Sequence, residues 1–277
     1  MLIKLPNADF SAAGLGTVTR LVSGMPVADL VGLWLFEDGD PDDEITSVAD
    51  ASGNGNTATL KAGWSAGIKR SYGVETPNND GMVYETSLPI NPAGREMTVF
   101  VAGMNTLPGN SAGDYNNWIG LSNSTDMETP GATHPNDHAV VLNYDGSDAV
   151  GHWQLFDNGS TIMGQTTVGA TGPDTYNEAG VAGIEIDGAA GTVKLYQLGH
   201  ATATRTDAGI SSHYDGATDR GTMSFGPWSH GVSRSPNPSI AQTYAIAAYL
   251  RSFTEAEAQA HMTYLRDRVA LRGVTFG

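Results

Sequence analysis

The chain has 277 residues, with 14 Lys plus Arg against 30 Asp plus Glu, a net charge of −16 and no cysteine. A chain this long buries a sizeable core without cross-links. The missing cysteines exclude disulfides, thiolate metal sites and a cysteine nucleophile. The acidic balance argues against a polyanionic partner such as nucleic acid.

Residues 1–30 read as an N-terminal arm, because Asn7, Gly14, Gly16, Gly24 and Pro26 break any hydrophobic period. No secretory signal is expected, since Pro6 follows a single Lys with no apolar region behind it. No run of about 18 apolar residues exists to span a membrane. Short strands are expected from Val31 onward, at 31–36, 97–103, 139–144, 150–156 and 180–186. β-Branched and aromatic residues fill these runs, and Gly, Asn, Asp and Pro separate them. The segment Ile184 to Tyr196 is the clearest hairpin, two alternating strands around the turn Gly188-Ala-Ala-Gly191. Two more strands are expected at 223–225 and 242–249.

One helix is expected, over 254–272. Thr254 and Glu257 form a capping box, Ala258, Met262, Leu265 and Val269 recur at helical spacing, and Gly273 is placed to end it. A single late helix after many short strands means an all-β sandwich or barrel with an edge helix. The expected organisation is the arm followed by one domain, 31–277.

Three segments then combine: Gly32-Leu-Trp-Leu-Phe-Glu37, Asp50-Ala-Ser-Gly-Asn-Gly-Asn56, and the closing run Tyr244 to Glu257. Their order resembles the concanavalin A-like jelly rolls of the laminin-G and pentraxin type. The resemblance implies two curved antiparallel sheets, a face that often binds glycans, and frequent calcium sites. The arm, the lack of a signal and the closing helix also resemble, in style, virion proteins of tailed phages. The implied function is a non-enzymatic structural or binding protein of a phage virion (a decoration, head-fibre or tail-fibre protein) with a lectin-like fold. Its partners would be other virion proteins or its own copies through the arm, and host cell-surface glycans. The alternatives are a polysaccharide-degrading glycoside hydrolase on the same fold, or a bacterial carbohydrate-binding lectin.

Candidate site residues follow from local chemistry. Glu37, Asp38, Asp40, Asp42, Asp43 and Glu44 crowd six carboxylates into eight residues. With the Asp50–Asn56 turn they suggest a calcium site from Asp38, Asp40, Asp42, Asp50 and Asn54; the alternative is a solvated acidic loop. Glu185-Ile-Asp187 is similar to the start of the laminarinase signature, but Ala190 stands where its third acid belongs. Asp187-Gly188 is read as turn chemistry instead. The Gly109-Asn-Ser-Ala-Gly113 run lacks the strand-to-helix context of a nucleophile elbow. His134 and His138 flank Pro135 in a polar loop without a zincin pattern. Sugar rings stack on exposed aromatics while amides and carboxylates fix hydroxyls. On that ground Asp114, Tyr115, Asn117, Trp118 and Trp228 are the expected ligand contacts, and Trp34 is expected in the core.

Overall fold

The computed structural model describes residues 25–76, 81–90, 96–105, 115–121, 140–145, 152–157, 168–169, 179–206, 221–229 and 241–276. These form two antiparallel sheets and a single long helix. Sheet A runs in the order β15 (Ala203–Thr206), β14 (Thr192–Gln197), β13 (Gly180–Asp187), β8 (Met97–Asn105), β17 (Ala241–Tyr249), β6 (Val74–Glu75), β5 (Gly67–Lys69), β2 (Glu44–Ile45). β1 (Leu30–Trp34) shares one edge of β17 with β6, pairing with Ile246 to Tyr249 while β6 takes Gln242 and Thr243. Sheet B runs β12 (Val168–Gly169), β11 (His152–Asp157), β10 (Val140–Asp145), β9 (Tyr115–Leu121), β16 (Thr222–Ser229), β7 (Tyr84–Pro89), β4 (Ala58–Leu60), β3 (Ser47–Val48). The fold class is the expected all-β sandwich of two antiparallel sheets with a C-terminal helix.

The alternating sequences explain the layers. On β13, Ala182, Ile184 and Ile186 turn into the core between the sheets, whereas Val181 turns to the opposite face. The inter-sheet core centres on aromatics, with Trp34 and Phe225 ring centroids 4.8 Å apart. Trp34 is buried there as expected. A second core lies on the outer face of sheet A under helix α1 (Glu255–Ala270). Thr254 and Glu257 cap α1 reciprocally, and Ala258, Met262, Leu265 and Val269 are its fully buried stripe. Burying each of the larger three contributes about 1.5–3 kcal/mol. β17 is covered on both faces, so all nine of its residues are buried and its apolar run is nearly continuous.

His261 sits inside this second core at 1% exposure. Its ring packs on Phe100 at 4.5 Å, Tyr249 at 5.1 Å and Phe253 at 5.9 Å between centroids. Nδ1 lies 3.4 Å from the Tyr249 hydroxyl, and Nε2 has no hydrogen-bond partner. Burial first, and the positive charge of Arg251 second, push the imidazole down to about 3. Neutral His261 is therefore part of the apolar joint between helix and sheet.

Two features differ from expectation. Short strands β2 to β7 fill residues 44–89, where hydrophobic runs are too brief to announce themselves. Residues 115–121, where no strand is expected from sequence, form strand β9. Asn116 and Asn117 are turn formers in isolation, but β10 and β16 on either side hold them extended. At the other end, the fold already includes Met25, which is buried in the helix-side core, and Pro26, whose carbonyl accepts from the Tyr249 hydroxyl at 3.1 Å.

Candidate functional site

The Asp50–Asn56 turn is a backbone staple. Asp50 Oδ1 accepts from the N–H of Leu33 (2.9 Å) and of Ser52 (2.8 Å), and Oδ2 from the N–H of Asn56 (3.0 Å). Asn54 Nδ2 donates to the Leu30 carbonyl (2.8 Å), and Asn56 Nδ2 to that of Val31 (2.6 Å). The Trp34 indole N–H closes the set on the Asn56 carbonyl at 2.9 Å. Glycine at 53 and 55 permits the turn, since both have φ near +80° to +90° (88° and 80°). Asp50 through both carboxylate oxygens and Asn54 through Nδ2, both expected as metal ligands, thus also fix β1.

The acidic loop is balanced by basic side chains. Arg268 of α1 donates to both oxygens of Glu37, at 2.9 and 3.1 Å. Arg70 pairs with Asp42 and, at 2.8 Å, with Glu75. Asp43 Oδ2 accepts from the N–H of Asp40 at 3.1 Å. Beneath the loop Lys69, 4% exposed, donates from Nζ to the carbonyls of Phe36 and Arg70, both at 2.8 Å. Burial, then the nearby Arg272, hold the Lys69 ammonium below its usual range. Among the described residues no three His, Asp or Glu side chains converge as a metal cage, so Asp38, Asp40, Asp42 and Asp50 are not gathered around one point.

Glu185 is buried at 0% exposure on the helix side of β13. Oε1 accepts from Lys194 Nζ (2.6 Å) and Ser252 Oγ (2.8 Å). Oε2 accepts from the Tyr196 hydroxyl (2.6 Å), the Phe253 N–H (2.9 Å) and the Thr98 hydroxyl (3.2 Å). The carboxylate therefore ties β13 and β14 to the link between β17 and α1. Burial, with the adjacent carboxylate, drives the Tyr196 phenol far above its usual range. Asp187, as expected, serves the turn: its Oδ1 accepts from the Ala190 N–H at 2.8 Å.

Sheet B places a different set of residues together. Its core row holds Tyr84, Phe225 and Ile119, all buried, in register with Leu142 and Leu155. One step along, on the opposite face by strand alternation, the register runs Trp228, Asn117, Asn143, Gln154, Gly169 across β16, β9, β10, β11 and β12. Two steps further on β10 the same face holds Tyr115, Asp145 and His152 in register. Bulges at Leu142/Asn143 and at Phe225/Trp228 set this register. They leave Trp118 on the core side of β9, facing Gly103 of β8. A Cβ on Gly103 would come within 2.4 Å of the Trp118 ring, so only glycine admits it.

This geometry divides the expected ligand contacts. Asn117 and Trp228 become direct neighbours across β9 and β16, and Tyr115 lies on the same face. Trp118 is corrected: at 0% exposure it is a core residue, because the bulge turns it between the sheets. Asp114, the Gly109–Gly113 run, and His134 with His138 lie outside the described residues. Asn143 and Gln154 were not singled out from sequence; their signal was the polar position in each of two alternating strands, visible only once the strands are paired.

The fold that carries this face has counterparts of known structure. Trypanosoma rangeli sialidase in complex with sialic acid aligns with a TM-score of 0.55 at 14% identity, covering 88% of this chain and 34% of that one. The botulinum neurotoxin serotype D binding domain gives 0.52 at 8% identity, covering 86% and 51%. The binding domain of Paraclostridial Mosquitocidal Protein 1 gives 0.52 at 14% identity, covering 85% and 52%. The chain thus spans from about a third to about half of these chains, and the likeness defines a β-sandwich fold. No protein-family model matches the chain, and no curated protein does.

Proposed function

We propose that this protein is a non-enzymatic glycan-binding module whose ligand lies across the outer face of sheet B. The observation that carries the reading is the register row Trp228, Asn117, Asn143, Gln154. Carboxamides carry a donor and an acceptor side by side, which matches neighbouring sugar hydroxyls, and an indole offers the flat apolar face on which a pyranose stacks. A spread of such residues over four strands suits an extended ligand on a surface rather than a small molecule in a cleft.

The non-enzymatic part is supported by Glu185, the residue of the glucanase-like motif. Its five hydrogen bonds occupy both oxygens, and Ala190 stands where a partner acid would be needed. In the same reading the module is displayed on an assembly such as a phage virion, attached through the N-terminal arm. The arm's lack of any hydrophobic period and the strongly acidic chain behind it support that placement.

The test is a glycan array with the full-length chain, followed by titration calorimetry of the best ligands. Wild type is expected to bind, and Asn143→Ala and Gln154→Ala to lose most of the affinity while melting at the wild-type temperature. Undiminished binding in both variants would remove the sheet B face from the account.

A further inference from the structure

The charge of this chain is distributed very unevenly. Between Arg95 and Lys194, residues 96–193 contain twelve Asp or Glu and no Lys or Arg, so this stretch holds −12 of the total −16. Strands β9, β10, β11 and β12 all lie inside it, and β16, which completes the row, has no Lys or Arg of its own. The face also includes an acid, Asp145, in register with Tyr115 and His152. Within the stretch Glu185, buried on sheet A, is matched by the half-buried Lys194 of the neighbouring strand.

We infer that the ligand of the sheet B face is an uncharged glycan, and that acidic sugars are rejected. The inference rests on the glycan-binding reading above and names its ligand class. A sialic acid, uronate or sulfate group must shed water on binding, and that cost is recovered chiefly by a guanidinium or ammonium partner. The strands of the row, β9 to β12 and β16, supply none. What they supply is amides and aromatics, which pair equally well with the neutral hydroxyls and acetamido groups of an uncharged sugar, and a negative field that opposes an anion's approach. The arginine nearest in sequence to the row is Arg234, six residues after Trp228.

The experiment uses the full chain and matched pairs of ligands: a neutral oligosaccharide, and the same oligosaccharide carrying one terminal sialic acid or one sulfate. Dissociation constants are measured at low salt and at physiological salt. The neutral member is expected to bind, and the acidic cap to weaken binding by about tenfold or more at low salt, with the gap narrowing as salt screens the field. Asp145→Asn should narrow the gap as well. Equal or tighter binding of the acidic member overturns the proposal while leaving glycan binding intact; its loss in Arg234→Ala would then identify the cation responsible. Absence of binding to every pair overturns the glycan-binding reading and this inference with it.

Discussion

Sheet A and the β9–β12 half of sheet B are built from the same alternating strands but spend their polar residues in opposite ways. In the centre of sheet A both faces are covered, and several of its polar side chains find partners within the fold. Glu185 takes five donors, and Gln242 donates to Tyr72 and Glu75. Arg272 donates to the carbonyls of Leu35 and Tyr244. In sheet B one face is core, and the other carries a row of amides and an aromatic residue with no layer of the described fold assigned to it. Buried polar groups with full partners specify a structure, whereas a polar row beside a core row is what a ligand would need. In the proposed reading, the sandwich separates a stabilising layer from a presenting one.

That separation predicts that substitutions in sheet A change stability and those in the row change binding. The largest effect is expected for Glu185→Ala. It leaves Lys194, Ser252 and the Phe253 N–H without this acceptor and the Tyr196 hydroxyl with only the Phe253 carbonyl, and should cost about 3–5 kcal/mol. Denaturant unfolding measures it, and a loss below about 1 kcal/mol would mean that the clip is not needed. Glu185→Gln, if it folds, should bind glycans as wild type does.

Next is acid sensitivity. His261 is held near 3 in the fold against 6.5 as its ordinary value. The unfolded chain then binds more protons than the native one between those values. The stability due to neutral His261 is complete above pH 6.5 and is lost as pH falls toward 3, at up to about 1.4 kcal/mol per pH unit. His261→Leu should flatten that part of the pH–stability curve. An equally steep fall in the variant would assign it to other groups.

A smaller loss, about 2–3 kcal/mol, is expected for Asp50→Ala, which strips three backbone N–H groups of their acceptor. Because both oxygens serve the backbone, wild type should melt at the same temperature in chelator and in calcium at matched ionic strength. A calcium-dependent rise that disappears in Asp50→Ala would show an ion at this turn. The smallest stability effect, within about 0.5 kcal/mol, is expected for Asn143→Ala and Gln154→Ala.

Much of the fold was legible because its signals are local. The capping box at Thr254, the apolar stripe of α1 and the Gly188–Gly191 turn each declare themselves within a few residues. The strands over 44–89 did not, because two- and three-residue pairings carry no period. Part of the proposed row was legible as composition: Asn117 and Trp228, in register across β9 and β16, belong to segments of mixed polar and aromatic character. Trp118 was misplaced because a bulge inverts a side chain's face without a trace in the residues beside it. Asn143 and Gln154 were invisible because a row across a sheet exists only after distant strands are set in register. Asp50 looks like a site acid in sequence for a similar reason, since its partner Leu33 lies 17 residues away, and the structural role of Glu185 is hidden because Phe253 lies 68 residues away.

The most direct test of the division between a stabilising and a presenting sheet is one paired measurement on the Asn143→Ala/Gln154→Ala double variant. Its melting temperature and its affinity for the neutral glycan best bound by wild type are recorded on the same preparation. The account predicts a melting temperature within about 2–4 °C of wild type and a fall in affinity of at least about tenfold. A variant that melts early yet binds normally would show that the row serves the fold and that the ligand, if any, lies elsewhere.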